Sequence, residues 1–177
     1  WDKADPEARD AIEELAKDLR ASEVDLPDNF LAAWDALRAI MAADMAYNLG
    51  ALVDRGGEFS KAFRDLIAEG REVAAVQYLA AMRDARRYAD HLAGVFEQLS
   101  DAIITLSAKG VALEGHGATG DPVFCTLWTL AGFPAINLPL LANDEGLPIG
   151  VQLVGAPGRD ERLLRTANAL IGAFSGA

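Results

Sequence analysis

The segment TLSAKG, Thr105 to Gly110, places a hydroxyl (Ser107) two residues before an amine (Lys109), the residue types of a serine nucleophile and a lysine base. Such chemistry needs the base within hydrogen-bond reach and a pocket of donors for the oxyanion. Here the pair follows a short apolar run, and Ser107 reads as a turn residue instead of a nucleophile. Cys125 is the single cysteine, which excludes an intramolecular disulfide, and it reads as a small buried side chain before a reactive thiol. His116 stands between glycines and His91 on a helical stretch. Neither has an Asp or Ser partner at a recognisable spacing, and two histidines without a metal motif do not support zinc. The glycine-rich stretch GVALEGHGATGD, residues 110–121, lacks the Gly-Lys-Ser/Thr ending of a phosphate loop. It closes on Asp121, which before Pro122 has the form of a helix start.

The elements that must carry these residues follow from periodicity. Asp5-Pro6 predicts a helix start, and Ala8, Ile12, Leu15, Ala16 and Leu19 recur at helical spacing behind it. Val24-Asp25-Leu26 before Pro27 reads as extended. Asp28 is the expected cap of a second helix whose stripe of Leu31, Trp34, Leu37, Met41, Met45 and Leu49 faces a core and ends at Gly50. A short helix is expected over residues 59–69, broken by Gly70. A longer one is expected over 72–99, with Met82, Ala85, Ala89, Leu92 and Phe96 inward and Arg83, Arg86, Arg87 and Asp90 solvated. After Ser100 the pattern becomes short apolar runs punctuated by glycine and proline. Residues 102–106, 135–141 and 149–154 read as strands, the last two separated by an Asn143-Asp144-Glu145-Gly146 turn. A helix over 160–174 closes the chain, with Leu163, Leu164, Ala167, Leu170 and Ile171 inward. Helices first and strands later, followed by a helix, predict an α/β layer protein.

Of 177 residues, 51% are hydrophobic, enough for one core, and no repeat or low-complexity segment stands out. A formal net charge of −11 disfavours nucleic acid and anionic membranes as direct partners. The apolar runs are too short to span a bilayer, and the first eight residues do not read as a signal peptide. With one cysteine, these features predict a reducing, cytoplasmic setting.

From Gly120 the chain reads GDPVFCTLWTLAGFPAINLPL, and from Gly146 it reads GLPIGVQLVG. With DAIITLSA from Asp101 before them and Asp160 with Leu163-Leu164 after, these segments in this order resemble the amidase-signature enzymes. Each fragment alone is unspecific, because Gly-x-Pro turns recur for backbone reasons; the ordered set is specific. Glu23-Val24-Asp25-Leu26-Pro27 and residues 78–87 match more loosely.

The resemblance implies an α/β fold, the carboxyl-terminal part of the amidase-signature fold, with helices packed on a portion of a mixed β-sheet. Residues 1–177 then form one segment, mainly helical over 1–99 and strands with a terminal helix over 100–177. It implies the carboxyl-terminal portion of an amidase hydrolysing a carbon–nitrogen bond of a small linear amide. The family's serine nucleophile, second serine in a cis peptide and lysine base belong to a glycine- and serine-rich signature that is absent from this sequence, which has no Ser-Ser pair. No catalytic residue is therefore expected in the chain, and a longer parent protein with upstream machinery is. In relatives the loop and helix start near an Asp-x-Phe-like segment line the cleft, and an aspartate there holds a substrate amine in some members. This implies Asp121, although the spacing to Phe124 is Asp-x-x-Phe, one residue longer. Cys125, Trp128 and Thr129 on the same helix and His116 in the preceding loop complete the implied substrate-binding set. An asparagine is common near Thr129 in relatives, so a less polar pocket is implied. No metal or organic cofactor is implied. The implied partners are a small-molecule amide and the remainder of the amidase domain, with a homodimer left open. The alternatives are the A-type subunit of a transfer-RNA-dependent amidotransferase and a non-catalytic amidase-like binding module.

Overall fold

A computed structural model describes residues 1–26, 30, 32–98, 101–115, 117 and 119–174. The chain divides into two units, one made of Trp1–Pro27 with Ala89–Ala177 and the other of Asp28–Tyr88.

In the first unit, α1 (Pro6–Asp18) buries Ala8, Ile12 and Leu15 at the predicted spacing. Asp5 occupies the N-cap with an extended backbone, yet its carboxylate makes no capping hydrogen bond. The Asp5 N–H donates to the Lys109 carbonyl at 2.7 Å. The Asp5 carboxylate lies against Gly110, where a Cβ would come within 2.1 Å of it. Residues 24–26 carry no regular structure. The strands β1 (Ile103–Leu106), β2 (Ala135–Ala142) and β3 (Pro148–Val154) form a three-stranded sheet in the order β1-β3-β2. Both pairings are antiparallel. The β2–β3 hairpin turns on Asn143, whose side-chain oxygen accepts the N–H groups of Glu145 and Leu147. Register places Leu106 and Leu138 on either side of Val151, and Ile104 and Ile136 on either side of Leu153. This apolar face packs against α1 and against Leu163 and Ala167 of α6 (Asp160–Phe174). Each fully buried aliphatic side chain there contributes roughly 1.5–3 kcal/mol. Leu170 and Ile171 join this core in part, but Leu164, expected inward, is exposed because it stands one position beyond the buried stripe.

Between β1 and β2 runs α5 (Val123–Ala131), ended by Gly132 in the left-handed region at φ 72°. The Phe133 N–H donates back to the Trp128 carbonyl at 3.0 Å, closing the helix end.

In the second unit, α2 (Ala33–Asp54) and α3 (Lys61–Glu72) form a helical hairpin, α3 being capped by Ser60, whose hydroxyl accepts the Phe63 N–H. Two expected breaks are absent: Gly50 lies inside α2 and Gly70 inside α3, and both are buried. The reason is close packing. A Cβ on Gly70 would stand 1.9 Å from the Ala42 carbonyl oxygen, so the hairpin closes only over a glycine. The inward face of α2 is accordingly the small residues Ala33, Ala36, Ala42 and Gly50. Leu37, Met41, Met45 and Leu49 are half-buried and Trp34 is exposed, against the expected core stripe. The expected cap Asp28 and stripe residue Leu31 lie outside the described residues. Arg71 spans the hairpin, holding both oxygens of Asp54 at 2.8 Å and the Gly50 carbonyl at 3.3 Å.

The long helix α4 (Ala75–Gln98) follows after Val73-Ala74, so α3 takes the turn that the sequence assigned to its start. The Gln77 side chain accepts the Ala74 N–H at this start. Ala81, Tyr88 and Leu92 are buried, the Met82, Ala85, Ala89 and Phe96 positions are half-buried, and the predicted charged face is exposed apart from the half-buried Asp84 beside it. No helix among the described residues is long and apolar enough to cross a membrane.

Candidate functional site

The sheet face opposite the core is polar at its centre. Thr105 and Asn137 are the cross-strand partners of Gln152, so three uncharged hydrogen-bonding side chains form one row across the strands. One step along, the Ser107 hydroxyl donates to the Asn137 side-chain oxygen at 2.9 Å. Gly150 leaves room for that contact: a Cβ there would meet the Ser107 hydroxyl at 1.9 Å.

The first turn of α5 meets this face. The Gln152 amide donates to the Phe124 carbonyl at 3.3 Å and contacts the Cys125 sulfur at 3.8 Å. The Cys125 thiol donates to the Ser107 carbonyl at 3.2 Å. Desolvation of the half-buried Cys125 side chain pushes its thiol pKa up, which favours the protonated form. The Phe124 ring stands edge-on to Trp1 with centroids 6.1 Å apart, so the residues leading into α1 brace the same turn.

Asp121 precedes this turn. One oxygen accepts the Val123 N–H at 3.1 Å and the other receives Lys109 at 2.5 Å. The hydrogen bond from Lys109 is the main cause that holds its carboxyl below the ordinary aspartate range. The carboxylate still keeps 47% of its surface exposed.

Asp121 and Cys125 thus sit together at one helix start. Trp128, one turn on, is buried at 6% exposure, and Thr129 beside it faces solvent. Thr126 is the buried hydroxyl of this helix and bonds the Pro122 carbonyl at 3.0 Å. His116 lies outside the described residues. Sequence reading missed Gln152 and Asn137. Their signal was a carboxamide inside an otherwise apolar strand, in GVQLVG and AINLPL.

The Ser107 hydroxyl is hydrogen-bonded to Asn137, and Lys109 is paired with Asp121. The arrangement can bind and orient a polar ligand at the start of α5. Among the described residues no group of three or more His, Cys, Asp and Glu side chains is placed to hold a metal. A cavity of about 420 Å³ lies elsewhere in the same unit, between the end of α4 and the start of α6. Its Asp101 and Arg162 are paired with each other.

Comparison with known proteins matches residues 1–164 to the family described as Amidase. A stretch of 73 residues is 41% identical to 6-aminohexanoate-cyclic-dimer hydrolase of Pseudomonas sp. (strain NK87), covering 38% of this chain and 15% of that protein. Mandelamide hydrolase of Pseudomonas putida is 37% identical over 111 residues, covering 56% of this chain and 22% of its own length. The A-type subunit of glutamyl-tRNA(Gln) amidotransferase of Jannaschia sp. (strain CCS1) is 37% identical over 83 residues, 43% of this chain and 17% of that protein. Among solved structures, a chain from a vestigial protein complex bearing on the evolutionary origins of an s-triazine catabolic enzyme superposes with a TM-score of 0.80 at 27% identity. The superposition covers 97% of this chain and 40% of that one.

Proposed function

Since the chain belongs to the amidase family, we propose that it is the carboxyl-terminal portion of an enzyme that hydrolyses the carbon–nitrogen bond of a small linear amide. The observation that carries this reading is the separate commitment of Ser107 and Lys109, joined to the 40% share of a related solved chain that these residues span. The cleaving serine then belongs to the remainder of the domain. It attacks the amide carbon, backbone N–H groups hold the oxyanion, the amine leaves, and water hydrolyses the acyl-enzyme.

This chain contributes part of the sheet and one wall of the substrate pocket. Asp121, exposed before α5, and Thr129, exposed on it, are the residues proposed to touch substrate, together with His116. Cys125 and Trp128 support them from below. Hydrolysis of a linear amide panel by the 177-residue chain and by the longer protein carrying the upstream sequence tests the reading. Labelling with a serine-reactive phosphonate, mapped by mass spectrometry, accompanies it. The expected result is activity and label only in the longer protein, upstream of Trp1. Hydrolysis by this chain alone, with label inside it, sinks the proposal.

A second reading, as the A-type component of an amidotransferase, is favoured by the 37% identity to that component of glutamyl-tRNA(Gln) amidotransferase. Glutaminase activity appearing only with a partner protein would select it.

A further inference from the structure

We infer that Gln152 is a positioning residue that sets the height of the first turn of α5, and with it Asp121, above the sheet. The inference rests on the reading of α5 as one wall of the substrate pocket. Gln152 is 5% exposed and sits in β3 beside Val151, Leu153 and Val154. A carboxamide in such surroundings costs desolvation unless it is hydrogen-bonded. Among the described residues, both of its side-chain hydrogen-bond partners are on the first turn of α5, the Phe124 carbonyl at 3.3 Å and the Cys125 sulfur at 3.8 Å. Cys125 passes the connection on to the Ser107 carbonyl at 3.2 Å, just beyond β1. A continuous polar link therefore runs from the central strand, through the helix, to the end of an outer strand.

Asp121 lies just before this turn and is joined to it through the Val123 N–H, its other tie being Lys109. Apolar packing sets how closely a helix approaches a sheet but is non-directional, so it specifies the orientation of a turn less sharply than a hydrogen bond does. A hydrogen bond has a distance and an angle, and Gln152 supplies it from the rigid middle of the sheet.

Two substitutions test this. Gln152→Leu keeps the volume and removes the donor, and Gln152→Glu keeps the shape and, when ionised, also lacks it. The first readout is the alkylation rate of Cys125 by iodoacetamide in this chain, at fixed pH and well below the melting temperature. Both variants are expected to raise it about fivefold, the effect of losing one hydrogen bond that holds the turn down. Leu138→Ala, on the opposite sheet face, should lower the melting temperature and leave this rate at the wild-type value.

The second readout uses the longer amidase. Gln152→Leu should raise KM about fivefold with kcat nearly unchanged, because ground-state binding and not the chemical step is displaced. Combining it with Asp121→Asn should add less than the two single effects together, since one acts through the other. Unchanged alkylation and KM in Gln152→Leu, or an equal KM rise in Leu138→Ala, overturns the inference. If the longer protein hydrolyses no amide, the functional reading fails, and the alkylation experiment still decides whether Gln152 holds α5.

Discussion

Asp121 stands just before the first turn of α5 and Cys125 within it, and their pKa values are shifted in opposite directions. The Asp121 pKa is depressed, chiefly by the hydrogen bond from Lys109, so its contribution to stability is present above the unfolded-state value and is lost as pH falls through the folded one. Exposure of both partners keeps that contribution small. The melting temperature of Asp121→Asn should therefore lie slightly below wild type at neutral pH, and the two should converge in acid, below the ordinary aspartate range. A gap that persists there assigns the effect to something other than this ion pair. Cys125 has a raised pKa from burial, so its stabilising effect is present below the unfolded-state value and lost as pH rises through the folded one. Its alkylation rate should climb with a midpoint above the free-thiol value of about 8.5. A midpoint below that value would contradict the raised pKa of the half-buried thiol. Cys125 and Asp121 were legible in the sequence as single residues. The tie of Cys125 to Gln152 was not, because the two residues are far apart along the chain and only the packing of α5 on the sheet brings them together.

At the scale of elements, the hairpin of α2 and α3 depends on one missing side chain. Gly70→Ala puts a methyl group 1.9 Å from the Ala42 carbonyl oxygen, which forces the helices apart. The expected loss of stability is about 1–3 kcal/mol, an overpacking cost, measurable by urea denaturation followed by circular dichroism. A neutral or stabilising result, as helix propensity alone would give, shows that the two helices are not in this contact. Sequence reading treated Gly50 and Gly70 as breaks because glycine is a poor helix former in isolation. Tertiary packing reversed that preference, since the close approach compensates the entropy that glycine loses. The strands were read nearly to the residue: β1, β2 and β3 all fall on the β-branched or apolar runs assigned to them. Proline and glycine mark the start of β2 at Pro134 and both ends of β3 at Pro148 and Gly155, which are local signals.

At the scale of the whole molecule, the described surface leaves several large apolar side chains exposed. Tyr47 is 88% exposed and Val76 74% in one unit, and Leu113, Leu147 and Leu164 are exposed in the other. The outer strands β1 and β2 each pair only with β3 among the described residues. The 177-residue chain should therefore self-associate with rising concentration, and more so at high salt, which screens the repulsion of a net charge of −11. Light scattering across a salt series measures this, and a monomer at every concentration and salt would count against these surfaces being interfaces. What the sequence by itself determined is the class and order of the elements and the family resemblance, now supported by the match over residues 1–164. These depend on periodicity and on turn residues, which are local properties. Only the tertiary structure decided that Lys109 belongs to Asp121, that Ser107 belongs to Asn137, and that a buried carboxamide ties α5 to the sheet. A hydrogen bond between distant residues is chosen by strand register and helix placement, and no spacing along the chain encodes it.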